Sequence, residues 1–244
     1  MRRMTETRSL SLRGGRKGAR SAVLVLHGGR ERSHLPTSRW QLSYVRMFDM
    51  YFCLRRAAPQ CAVYLLRYRF RGWNAEHGTP DPVSDALWAL DRINEDVPGG
   101  PVALVGHSMG GRTAFAVANQ PSVVGVCGLA PWLPGNEPLP SQPRVDQRFV
   151  IAHGTHDRMT SPSQSLLYAA RLRRAGAVTA RFELAGARHA MLDRPALWRS
   201  FAIRTTLGLL GETTMPAGVA HALAGDGQSG LAADLETFET APTA

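Results

Sequence analysis

The sequence predicts an α/β domain whose central sheet is mostly parallel and flanked by helices. Three observations predict it. Short apolar, β-branched runs alternate with longer helical patterns, no internal repeat interrupts that rhythm, and 244 residues with 44% apolar and 20% charged content give one sizeable core rather than two. The 24 Gly and 16 Pro follow no three-residue period, so collagen-like and wholly disordered chains are excluded.

Residues 9–13 read as an edge strand, and residues 21–26 (SAVLVL) as a fully buried one. A helix is expected over residues 36–58, where Pro, Thr and Ser suit its start and Trp40, Tyr44, Met47, Phe48, Tyr51 and Leu54 recur at three- and four-residue steps. That stripe reads as core. The run 61–66 (CAVYLL) is the next strand, followed by a helix over 83–93 with Ala86, Leu87, Leu90 and Ile93 in phase. Asp81 and Asp85 favour the positive N-terminal end of that helix. Strand 101–105, helix 109–119 and strand 123–129 complete the middle of the chain. Residues 131–147 hold Pro131, Pro134, Pro138, Pro140 and Pro143, too many for a helical cap, and read as a loop. Strand 148–152, helix 163–175, strand 180–184 and helix 190–210 follow. From residue 212 on, Ala, Gly and Thr dominate and Phe238 is the sole aromatic, which predicts a largely disordered tail with a short helix at 231–238.

Charge divides the chain. Twenty-nine basic residues, 28 of them Arg, face fourteen acidic ones before residue 212, whereas residues 212–244 carry Glu212, Asp226, Asp234, Glu236 and Glu239 with no Lys or Arg. The body is therefore +15 and the tail −5. A basic body attracts anions in general, but no nucleic-acid-binding module or basic run with interleaved aromatics is present, and no nucleic-acid partner is expected. No apolar run approaches the roughly 20 residues of a membrane-spanning helix. The first twenty residues lack the apolar core of a secretory signal, and Cys53, Cys61 and Cys127 form neither a CxxC pair nor an even framework. A cytoplasmic protein with reduced thiols, no metal and no membrane partner is the expectation; its oligomeric state is left open.

The sharpest feature is Gly106-His107-Ser108-Met109-Gly110-Gly111, between a strand and a helix. A strand that turns at once into a helix strains the residue at the turn, and Gly106 and Gly110 remove the side chains that would collide across it. The Ser108 hydroxyl then stands at the C-terminal edge of the sheet. The positive end of the following helix, with the Met109 N–H, points where an oxyanion would form.

With this elbow the chain resembles the α/β-hydrolases, in a small form with a minimal cap. His27-Gly28-Gly29, at the end of strand 21–26, is similar to that family's HG turn, and the resemblance makes Gly29 the second oxyanion amide. His153-Gly154-Thr155-His156-Asp157 ends the strand after the nucleophile segment, where the family places its acid. Arg188-His189-Ala190 follows the last strand, where the family places its base. Ser108, Asp157 and His189 thus occur in the family order. The resemblance spans about residues 5–211; with the charge division it gives three expected segments, a basic N-terminal stretch 1–20 with the edge strand, a catalytic domain 21–211 and the acidic tail 212–244.

The physical need for such a trio is independent of family. A serine hydroxyl is a poor nucleophile near neutral pH and needs an imidazole to take its proton, and the imidazole needs a carboxylate to fix its tautomer. Parallel strands deliver distant residues to one edge. His153 and His156 compete with His189 for the base, and Asp146 and Asp193 with Asp157 for the acid. His27 and His107 belong to turns and are expected to make supporting hydrogen bonds.

Loops at the same edge carry Arg30, Arg71, Trp73 and Trp132, with Arg112, Arg158 and Arg188 near the proposed site. They suggest an acyl pocket walled by Trp73, Trp132 and Met109, with a guanidinium rim that would favour anionic substrates. The expected activity is hydrolysis of a small or medium carboxylic ester through an acyl-enzyme, without cofactor. Thioester or peptide hydrolysis would use the same groups. A basic anion- or nucleic-acid-binding protein on an inherited hydrolase scaffold is the non-enzymatic alternative.

Overall fold

Strand alternation sets the layering. In β2 (Ala22–Leu26), Ala22, Leu24 and Leu26 enter one hydrophobic cluster while Val23 and Val25 enter the other. The same division holds in β3 (Ala62–Arg67), β4 (Val102–His107) and β6 (Arg148–Gly154). Buried on both faces, these strands need apolar residues throughout, which is why they read as continuous runs. The computed structural model describes residues 10–76, 78–141 and 143–240. Residues 1–9 of the basic N-terminal stretch, including the expected start of its strand, lie outside the described residues.

The remaining strands are β1 (Ser11–Gly14), β5 (Val123–Leu129), β7 (Val178–Leu184) and β8 (Ala233–Asp234), in the sheet order β1-β3-β2-β4-β5-β6-β7-β8. Every neighbouring pair is parallel except β1 with β3, and β1 lies at the edge as expected. Helices α2 (Asp81–Asp96), α3 (Met109–Ala116) and α4 (Pro162–Arg174) cover one face. Helices α1 (Leu42–Ala57), α5 (Pro195–Leu209) and α6 (Ala217–Ala224) cover the other. Among the described residues, no helix is long and apolar enough to cross a membrane.

Two expectations need correction. Helix α1 starts at Leu42 rather than residue 36, because Thr37 donates from its backbone to Arg69 O and Pro36 bridges Phe70, tying this stretch to the loop after β3. Trp40, expected in the core, is 78% exposed. The acidic tail is also not disordered over the described residues 212–240. Helix α6 falls at Ala217–Ala224, while the segment expected to be helical pairs as β8 against β7 and ends in a 3₁₀ turn at Leu235–Thr237. Val219, Ala222, Leu231, Leu235 and Phe238 are buried. A few apolar side chains suffice because Val219, Ala222, Leu235 and Phe238 join the cluster that holds α5, while Leu231 joins the cluster on the other face of the sheet. The tail's carboxylates meet the basic body, as in Arg204–Glu239 at 2.9 Å and the contact of Arg194 with Glu236.

Between β2 and β4 the connections diverge, β2 leading outward to β3 and β4 leading the other way to β5. Such a switch point opens a crevice at the C-terminal strand ends. Leu26 pairs with Gly106, so the loops leaving β2 and β4 emerge side by side.

Candidate active site

Ser108 is the single residue between β4 and α3, with φ 57° and ψ −119°. A side chain with a Cβ occupies that region at a cost of order 1–3 kcal/mol, and the surroundings hold it there. The Ser108 N–H donates to Leu129 O at 3.0 Å, while its carbonyl accepts from the N–H of Trp132 at 3.1 Å and of Arg112 at 3.2 Å. Gly106 and Gly110 are obligatory: a Cβ on Gly106 would strike the Gly110 carbonyl, and one on Gly110 would strike the Leu26 carbonyl. Their absence of side chains lets α3 begin directly against β2 and β4.

The structure brings Ser108, His189 and Asp157 together. His189 Nε2 lies 3.0 Å from Ser108 Oγ, and its Nδ1 lies 2.8 Å from Asp157 Oδ2. Asp157 Oδ1 accepts from the N–H groups of Met159 at 2.8 Å and Thr160 at 2.9 Å, and the Thr160 hydroxyl donates to Oδ2 at 2.8 Å. Burial alone would raise the Asp157 carboxyl. Hydrogen bonds from His153, His189 and Thr160 outweigh it and hold the group far below the usual carboxylate range. An ionised carboxylate in this position accepts from Nδ1–H and leaves the Nε2 lone pair facing the hydroxyl.

Gly29 and Met109 also adjoin. A Cβ on Gly29 would come within 2.5 Å of Met109 Sδ and of Arg71 O, so only glycine lets this loop approach so closely. Among the described residues, neither the Gly29 nor the Met109 N–H has a hydrogen-bond acceptor. The two turn histidines play the supporting part expected. His27 Nδ1 donates to Gly28 O at 2.7 Å and its Nε2 accepts from Tyr68 N–H at 3.4 Å, bracing the Gly28-Gly29 turn. His107 Nε2 donates to His189 O at 2.9 Å, and the two rings lie 4.7 Å apart. Burial pushes His27 down to about 4 and His107 to about 3, so both are neutral near pH 7.

The rivals fall elsewhere. His156 is exposed. Asp193 pairs with Arg188 at 2.8 Å and Asp146 with Arg144 at 3.5 Å. His153 is fully buried and contacts Asp157 rather than Ser108.

Of the expected rim, Arg30 and Arg71 are joined through the backbone, the Arg30 N–H donating to Arg71 O at 2.7 Å. The Arg71 side chain donates to Pro36 O at 3.1 Å, binding the loop before α1 to the Gly29 loop. Trp73 and Trp132 meet edge to face at 6.2 Å. Between them sits Arg112, with Cζ 3.9 Å from the Trp73 ring and 4.4 Å from the Trp132 ring, and Nη2 2.6 Å from Glu137 Oε2. Glu137 was hidden in the Pro-rich segment 131–147, which carries no periodic signal. Thr160 carries no sequence signal of its own; what the Asp157 position does signal is an Asx-type turn, whose N–H donors here are those of Met159 and Thr160.

A model of the alpha/beta hydrolase family matches residues 23–227. No curated protein matches the chain by sequence. Among solved structures, an arylesterase is similar at TM-score 0.61 and 19% identity, covering 86% of this chain and 83% of that one. An alpha/beta hydrolase enzyme from a Medee basin deep-sea metagenome library gives TM-score 0.64 at 17% identity over 85% and 95% of the two chains. The monoacylglycerol lipase of Paleococcus ferrophilus gives 0.56 at 17% identity over 84% and 99%. At these identities the likeness is one of fold.

Proposed function

Because the chain belongs to the alpha/beta hydrolase family, we propose that it is a serine hydrolase of small or medium carboxylic esters acting through an acyl-enzyme. The observation that carries this reading is the continuous chain Ser108 Oγ, His189 and Asp157, with contacts of 3.0 and 2.8 Å at a strained elbow. Ser108 Oγ attacks the ester carbonyl carbon as its proton passes to His189 Nε2. The carbonyl oxygen becomes an oxyanion that accepts from the N–H groups of Met109 and Gly29, each such donor contributing on the order of 3 kcal/mol in comparable sites. Collapse breaks the bond to the alkoxy oxygen, which takes the proton from His189 and leaves as the alcohol. Water then attacks the acyl-enzyme, losing its proton to the same nitrogen, and Ser108 is restored with release of the acid. No step needs a metal or organic cofactor.

An ester rather than a large polymer suits a site whose cap is only the loop 131–147. The test is labelling with a fluorophosphonate together with p-nitrophenyl acetate hydrolysis. Stoichiometric labelling and turnover are expected, both lost in Ser108→Ala. Intact protein that neither labels nor turns over, or Ser108→Ala that labels like the wild type, sinks the proposal and returns attention to a non-catalytic anion-binding role.

A further inference from the structure

We infer that the Trp73–Arg112–Trp132 stack is a fixed plug that restricts the acyl group to short chains and closes off a second acyl subsite behind it. The inference rests on the serine-hydrolase reading above. In that reaction the departing alkoxy oxygen must lie beside His189 Nε2 to be protonated, so the acyl substituent points away from His189. His189 arrives on the loop leading into α5, on one face of the sheet. Arg112 and Trp73 stand over the opposite face, among α2 and α3. The acyl chain is therefore directed at the stack.

Position along α3 gives the plug its effect. The Arg112 N–H bonds to Ser108 O, one turn below the proposed nucleophile. Phe115 and Ala116 follow on the next turn, and there they line a cavity of about 350 Å³ together with Val83, Leu139 and Pro140. Arg112 and Trp73 form its wall on the Ser108 side. The cavity opens to solvent and carries Asn119, Glu137 and Ser141 beside its apolar side chains, while the Arg112 guanidinium stands between it and Ser108.

The plug is rigid for a physical reason. The guanidinium has an indole on each side, at 3.9 and 4.4 Å, and an ion pair with Glu137, which is 4% exposed. Glu137 is itself held by its backbone, whose carbonyl accepts from Arg171 at 3.0 Å. Swinging Arg112 aside would strip both ring contacts and leave a buried carboxylate unpaired. An apolar acyl chain offers nothing that repays this. Removing both charges opens the cavity without leaving one behind.

The experiment compares kcat/KM for p-nitrophenyl octanoate and acetate in the wild type and in the double variant Arg112→Ala, Glu137→Gln, read as a ratio so that a general loss of activity cancels. The wild type is expected to favour acetate by at least about tenfold, and the double variant to raise the octanoate to acetate ratio by at least about tenfold. If the double variant does not fold, Trp73→Ala, which keeps the ion pair but removes one wall of the stack, is expected to shift the ratio the same way. A wild type that cleaves octanoate as well as acetate overturns the inference, as does an unchanged ratio in a variant that still labels with fluorophosphonate. A wild type that neither labels nor cleaves acetate removes the serine-hydrolase reading itself.

Discussion

His153 and His189 share one oxygen: His153 Nε2 lies 3.2 Å from Asp157 Oδ2, the atom that also holds His189 Nδ1 at 2.8 Å. Burial lowers the His153 ring, so it is neutral and donates its Nε2–H to the carboxylate, leaving Nδ1 buried without a partner. His153→Leu deletes this donor. A hydrogen bond to a charged group outweighs the relief of the orphan Nδ1, so a loss of about 1–2 kcal/mol in stability at pH 7 is expected. Asp157 is held below its unfolded value. The stability it contributes is present above about pH 4 and is lost as pH falls toward its lowered folded value; His153, also held below its ordinary value, takes up a proton in the unfolded wild type from about pH 6.5 downward, so the difference between wild type and His153→Leu should shrink in acid. Urea unfolding at pH 7 and pH 3.5 measures it, and a difference that grows in acid contradicts the assigned donor. A fall in kcat with KM nearly constant is expected alongside, because the ring positions the acid and touches no substrate.

Acid should also weaken the fold well above pH 4. His27 and His107 are buried with values pushed down to about 4 and about 3, so the unfolded chain takes up their protons from about pH 6.5 downward while the folded chain does not. Their contribution is complete above that pH and is lost as pH falls. Asp85, raised by burial to about 6, acts in the opposite sense, since its folded form binds a proton before its unfolded form does. These two histidines against one carboxyl leave a net loss on the order of 2 kcal/mol between pH 7 and pH 5.5, and His153, lowered by burial as well, adds to it in the same direction. Urea midpoints at the two values test this, and a midpoint that rises on acidification refutes it.

The elbow should store measurable strain. At φ 57° and ψ −119°, Ser108 occupies a region that a Cβ disfavours and glycine tolerates. Ser108→Gly is expected to be more stable than Ser108→Ala by about 1 kcal/mol, after allowing for glycine's greater entropy when unfolded. Neither variant should turn over ester. Thermal unfolding of the pair reads the difference, and equal stabilities would mean that the turn is relaxed.

The C-terminal segment should be structural. Phe238 is 2% exposed and meets Phe201 edge to face at 5.3 Å. Phe238→Ala is expected to cost about 3–5 kcal/mol, the range for removing a buried aromatic ring. A cost below about 0.5 kcal/mol, the usual size of a surface substitution, would mean that residues 212–240 are not part of the core.

Much of this molecule is legible in one dimension. The runs SAVLVL, CAVYLL and VVGVCGL can only be strands buried on both faces, and strand alternating with helix demands a parallel sheet. Gly106 and Gly110 around Ser108 mark an abrupt strand-to-helix turn, because no other residue clears the Gly110 and Leu26 carbonyls. These features depend on neighbours in the chain, so the sequence carries them. Trp40 and the tail depart from their local patterns for the converse reason: whether a residue is buried depends on what lies across from it, and the Phe70 bridge to Pro36 and the flank of β7 are not local. The same applies to the proposed site. Residue order determined that a hydroxyl, an acid and an imidazole lay at strand ends, but three-dimensional packing alone decided that His153 would serve Asp157 and that Arg112 would lie between two indoles against a glutamate from the Pro-rich loop. Such contacts are set by distances across the sheet, and those exist only once the strands have paired.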